Sequence, residues 1–130
     1  MRNQMARTLL WAVAFLFVAN TIEAQSLLDL PRDSQEARVV QRIGLTYVTI
    51  SYHRPLVKGR QIWGRLVPYG QVWRAGANEN TTIEFTDPVS LEGQPVARGR
   101  YGLHMIPGER SWTVILSKNS TSWGSYTYDG

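Results

Sequence analysis

The pattern of apolar and polar positions divides this chain at Asn20. Before it, Leu9-Leu10-Trp11-Ala12-Val13-Ala14-Phe15-Leu16-Phe17-Val18-Ala19 is unbroken apolar sequence; after it, apolar residues come in short groups separated by Gly, Pro and polar residues. Arg2 and Arg7 precede the apolar run, and Ile22-Glu23-Ala24 follows it with a small residue at the end. That order of charge, apolar core and small residue is the pattern of a cleavable secretory signal. A bilayer-spanning helix needs about 20 apolar residues, and residues 9–19 fall well short of that. Residues 1–24 are therefore expected to be a helical signal peptide cut near Ala24. Export to the periplasm or the medium is expected with it, with no transmembrane anchor once it is removed.

After a polar lead-in at residues 25–36, the period becomes that of a pleated strand. No stretch repeats at the 3.6-residue spacing of an amphipathic helix. Val39–Ile43 and Tyr47–Tyr52 are rich in β-branched and aromatic residues, which suit a half-buried pleated surface. Pro55 has no N–H for a ladder and restricts Arg54, so the second strand is expected to end near His53. Thr81–Phe85 alternates, with Ile83 and Phe85 inward. Val89–Leu91 and Pro95–Ala97 flank Glu92-Gly93-Gln94, a hairpin signal. Tyr101, Leu103 and Met105 share one face of the next strand, and Gly102, His104 and Ile106 share the other. Pro107-Gly108-Glu109-Arg110 predicts a turn, the strand at 112–117 follows it, and Trp123–Tyr128 again reads as strand. Short strands with turns at such spacing predict an all-β domain over residues 37–130, an antiparallel β-sandwich of jelly-roll-like form.

Residues 54–80 interrupt this regularity. Pro55, Gly59, Gly64, Pro68, Gly70 and Gly76 are too closely spaced for long elements, yet Trp63, Tyr69 and Trp73 lie among them. A loop of that length in a compact domain is expected to be ordered by its aromatic side chains and to carry function. Composition narrows the chemistry further. The chain has no cysteine, which removes disulfides, thiolate metal sites, thiol nucleophiles and a lipid-attachment site together. Its formal net charge of +4 is too mild to argue for nucleic acid. The distribution says more: residues 37–78 carry Arg38, Arg42, Arg54, Lys58, Arg60, Arg65 and Arg74 and no Asp or Glu.

The string Tyr52-His53-Arg54-Pro55-Leu56-Val57-Lys58-Gly59-Arg60 is distinctive, as is Leu66-Val67-Pro68-Tyr69-Gly70-Gln71-Val72-Trp73-Arg74-Ala75-Gly76-Ala77-Asn78-Glu79-Asn80-Thr81-Thr82. With Gly99–Pro107, Trp112–Ile115, Trp123-Gly124-Ser125 and Tyr128-Asp129, these segments resemble a bacterial family known only as domain of unknown function family 2911. The resemblance covers nearly all of the chain after the leader. It implies an exported β domain and brings no agreed catalytic residues. It also implies further strands beyond Tyr128-Asp129, so the sandwich is expected to be incomplete at its C-terminus.

Two constellations could carry chemistry. The first is a ligand site built from Tyr52, Arg54, Lys58, Arg60, Trp73, Arg74, Asn78 and Glu79. Arginine pairs bidentately with carboxylate or phosphate, and aromatic rings stack on sugar faces, so a small anion or an anionic glycan is the expected ligand. The plainer reading has Arg54 and Arg74 stacking on Trp or Tyr and pairing with Glu79 or Glu84 to hold the loop in shape. The second is a divalent transition-metal site of His53, Glu79 and His104, which would make the protein a hydrolase or lyase. No His-x-His or His-Glu-x-x-His spacing supports it. Nor is there a nucleophile elbow, a Ser-x-x-Lys pair or a phosphate-cradling glycine loop. The expectation is thus a non-enzymatic binding module without a cofactor, with the metal enzyme and a purely structural envelope protein as alternatives.

Overall fold

The computed structural model describes residues 31–125. The expected signal peptide at 1–24, most of the lead-in and the end of the Trp123–Tyr128 segment lie outside them. Seven strands follow one another: β1 Gln35–Ile43, β2 Thr46–Arg54, β3 Thr82–Phe85, β4 Val89–Leu91, β5 Gln94–Val96, β6 Gly99–Pro107 and β7 Trp112–Ser117. Five form one antiparallel sheet in the order β1-β2-β3-β6-β7, and β4 and β5 pair as a separate two-stranded sheet. The all-β, antiparallel character read from the alternation holds for all seven strands of the described residues.

Two details differ from the sequence reading, and the expected hairpin turn at Glu92-Gly93 is present. β1 starts at Gln35 rather than Val39, because β2 extends to Arg54 and offers it partners as far as Gln35↔Arg54; the domain therefore takes in the end of the lead-in. Trp123, Gly124 and Ser125 form a bend and turn rather than a strand, since Gly124 sits at φ 72°, outside the extended region. The β4–β5 turn uses Glu92 at φ 48° and Gly93 at φ 80°, the paired left-handed geometry that matches strand twist in a two-residue hairpin.

Directly paired residues share a face of the sheet. The register therefore gathers Val48, Ile50, Ile83, Phe85, Tyr101, Leu103, Met105 and Leu116 on one side, and Thr49, Ser51, Thr82, Glu84, Arg100 and Ser117 on the other. The apolar face supplies the buried hydrophobic side chains Phe85 at 3% exposed and Leu103 at 7%, joined by Val67 from the loop at 8%. On the polar face Arg100 donates to Glu84 Oε2 from both Nε (3.0 Å) and Nη2 (2.7 Å).

The length of β3 decides where a site can form. β2 and β6 are nine residues each and β3 is four. β3 pairs with β2 only as far as Ser51 and with β6 only as far as Gly102, so beyond those points the sheet forks. The loop between β2 and β3 fills the fork and satisfies the free edge of β6. Leu103 N–H donates to Thr81 O (2.7 Å), Trp73 and Met105 exchange both main-chain bonds (2.7 and 2.8 Å), and Gly70 N–H donates to Pro107 O (2.9 Å). Gly76 allows the loop to press against β2: a Cβ there would stand 2.7 Å from Thr81 Oγ1 and 3.2 Å from His53 O.

Candidate functional site

A cleft of about 730 Å³ opens at this fork, within the size range of small-molecule sites. β2 contributes Tyr52 and Arg54, both in register with the apolar face. The loop contributes Lys58, Arg60, Trp73 and Arg74, so six of the eight residues singled out for a ligand line one cavity although the first and last are 22 positions apart. His53 lines it as well. Asn78 and Glu79 stand behind it, where they anchor the chain that precedes β1: Arg32 Nη1 donates to Glu79 Oε1 (2.6 Å) and Asn78 Nδ2 to Ser34 O (3.4 Å).

Aromatic packing makes one wall rigid. Trp63 meets Trp73 edge-to-face at 5.4 Å between centroids and Trp112 at 4.7 Å, and Trp73 and Trp112 are 6.3 Å apart. T-shaped pairs at such distances exceed simple area burial by about 0.5–1.5 kcal/mol each. Trp73 is placed by its bridge to Met105 and Trp63 by its bridge to Val67. Tyr69 packs on Gly64, where a Cβ would come within 2.9 Å of the ring.

The cations are distributed differently from the expectation of one collective field. Arg60 turns back on its own loop, donating from Nε to Val57 O (3.0 Å) and from Nη2 to Leu56 O. Arg74 Nη1 donates to Asn78 O (2.6 Å). Lys58 pairs with Asp33 at 2.9 Å. Arg42 lies over the Tyr47 ring, 5.6 Å from its centroid, on β1 and away from the cleft lining. The guanidinium of Arg54 has no hydrogen bond or ion pair among the described residues. The plainer expectation is corrected too: Glu79 takes Arg32 and Glu84 takes Arg100, so neither holds Arg54 or Arg74.

Carboxylates that flank the acid-free stretch in sequence thus fold back onto it. The Lys58 ammonium holds the Asp33 carboxyl below its ordinary pKa. Glu79 is likewise lowered, chiefly by the Arg32 hydrogen bond and then by its own main-chain N–H. His53 Nε2 lies 3.3 Å from Glu79 Oε2. Of the proposed metal set, then, two members meet. His104 is elsewhere, on the polar face of β6, 2% exposed, with Nδ1 2.8 Å from Ser125 Oγ; burial lowers its pKa, which favours the neutral ring. Among the described residues no group of three or more His, Asp or Glu side chains gathers closely enough to share a metal ion.

The sequence reading missed the apolar floor and the N-terminal lip. Leu56, Val57, Ile62, Leu66 and Val67 line the cleft, and Asp33 and Ser34 close one side of it. Their signal was present but weak: aliphatic residues in a Gly- and Pro-rich loop with no period to place them, and an Asp just outside a long acid-free run.

No curated protein and no solved structure matches the chain. A family profile does, over residues 34–130, and it spans β1 to β7 and every cleft-lining residue except Asp33. The chain therefore belongs to the family described as protein of unknown function, DUF2911.

Proposed function

We propose that this protein is an exported, non-enzymatic binding module whose cleft takes a small ligand with an aromatic or apolar body and an anionic group. One observation carries the reading: a cavity of about 730 Å³ walled by Trp63, Trp73, Tyr52, Leu56 and Ile62 is also lined by Arg54, a cation with no partner among the described residues. Apolar walls supply affinity through burial, and a lone guanidinium fixes orientation and sign of charge. The balance of aliphatic and aromatic lining favours such an amphipathic anion over a long anionic glycan, for which exposed stacking platforms and several free cations suit better. Export rests on the signal pattern at residues 1–24.

Naphthalene sulfonate, an aromatic body with one anionic group, is a suitable probe, read by tryptophan fluorescence and by calorimetry. Arg54→Met keeps the aliphatic stem and removes the charge. Loss of one charge-assisted contact at an exposed position corresponds to about 1–2 kcal/mol, or roughly 5–30-fold in Kd. Wild-type affinity in Arg54→Met, with the thermal midpoint unchanged, would remove Arg54 from the site and refute the assignment.

A further inference from the structure

We infer that the cleft holds a second anion-binding position, at Lys58, and that the chain's own Asp33 carboxylate occupies it. This rests on the reading of the cleft as a binding site and specifies the ligand class: an apolar or aromatic body carrying two anionic groups, one for Arg54 and one for Lys58.

Lys58 is built into the lip rather than left on a loose side of the loop. It stands at φ 49°, followed by Gly59 at φ 70°, so the backbone turns sharply there. Arg60 N–H donates to Val57 O (3.1 Å), and the Arg60 guanidinium holds the carbonyls of Leu56 and Val57. The backbone that bears this basic side chain is thereby held at the edge of an apolar cavity. Its ammonium is met by Asp33 Oδ2 at 2.9 Å, and Asp33 itself lines the cavity. The protein thus presents to its own lysine the group that an anionic ligand would present.

Asp33 can give way without unfolding the strap that bears it. Arg32 is tied to Glu79 and Ser34 O to Asn78, so the segment stays docked on either side while one side chain rotates. The Asp33 and Lys58 side chains are 88% and 58% exposed, and ion pairs so exposed contribute little. An entering ligand therefore displaces the carboxylate at small cost. Until it does, the Lys58 charge is met by Asp33; afterwards the ammonium faces the ligand.

The test compares naphthalene sulfonate with naphthalene disulfonate on the full chain. Asp33→Asn, at a position so exposed that folding is unaffected, should tighten disulfonate binding by about three- to fivefold relative to the monosulfonate, the equivalent of one surface ion pair. The gain should vanish when Asp33→Asn is combined with Lys58→Gln. Equal changes for the two probes, no change, or a gain that persists in the double variant would each overturn the inference while leaving the cleft reading intact. Failure of the wild type and every variant to bind either probe would overturn the cleft reading and this inference with it.

Discussion

Gly102 is the position where a single methyl group should do most damage, and opposing effects can be weighed there. In an exposed strand interior, Gly→Ala ordinarily gains about 0.5–1 kcal/mol through reduced backbone freedom. No left-handed φ forbids Ala at 102. What stands in the way is packing: a Cβ would lie 2.5 Å from Asn119 O, 2.8 Å from Asn80 Nδ2 and 3.3 Å from His104 Nε2. The nearest of these is a main-chain carbonyl and cannot rotate away. Nor is Asn80 free to move, because its Nδ2 donates to Asn119 O (3.3 Å) and Ser122 Oγ (3.0 Å) and ties the chain after β7 across the sheet. Overpacking costs about 1–3 kcal/mol, and losing one of the Asn80 bonds adds about 1 kcal/mol. The unfavourable side wins by about 2 kcal/mol. In a domain of this size, that corresponds to a fall in Tm of about 8–16 °C. Circular dichroism melts of wild type and Gly102→Ala measure it directly. A variant within about 2 °C of wild type would mean that the segment after β7 does not press on β6 as described, and would refute the reasoning.

Acid sensitivity follows from His104. Burial lowers its folded pKa, so below about 6.5 the unfolded chain binds a proton that the folded chain does not. Stability is full above that value and falls as pH decreases towards the lowered folded pKa. Urea midpoints at pH 7 and pH 5.5 should therefore diverge in wild type, and His104→Gln should narrow the gap; an unchanged gap would place the titration elsewhere. Trp63→Ala removes the ring that touches both Trp73 and Trp112, and since Trp63 is 41% exposed the expected loss is about 2 kcal/mol rather than the 3–5 of a fully buried aromatic. Chemical unfolding checks the magnitude, and naphthalene sulfonate affinity should fall alongside; a stable variant with intact affinity would show that the wall does not need the triad.

The strands were legible because burying one face of a sheet writes an alternation into the sequence. Ile83 and Phe85 inward, and Tyr101, Leu103 and Met105 together, are where the register puts them. The loop after β2 was legible as a unit, since prolines and glycines without period rule out long elements while tryptophans demand packing. Which cation would be available was not legible. Arg60 is spent on carbonyls three and four residues back and Arg74 on one four residues on, choices set by local turn geometry that residue type does not encode. Asp33 meets Lys58 across 25 positions, through a fold-back that depends on β1 pairing as far as Gln35. His53 and Glu79 could be foreseen as neighbours, but His104 shares the polar face with His53, and only the fork, where β3 stops pairing at Ser51 and Gly102, separates the strands that carry them.

The loop that fills the fork is two structures with different attachments. Residues 70–81 are stitched to β6 through the main chain, whereas residues 56–67 close on themselves through Gly64 N–H to Val67 O and Val67 N–H to Ile62 O and reach the sheet by side chains. Amide exchange should therefore run on two clocks, slow at Trp73, Leu103 and Met105 and fast in the outer lobe. The outer lobe carries Lys58 and most of the aliphatic floor, so it can be exchanged or redesigned without unpicking a single rung of the sheet. On the proposed reading of the cleft, selectivity would be a replaceable part mounted on a fixed frame.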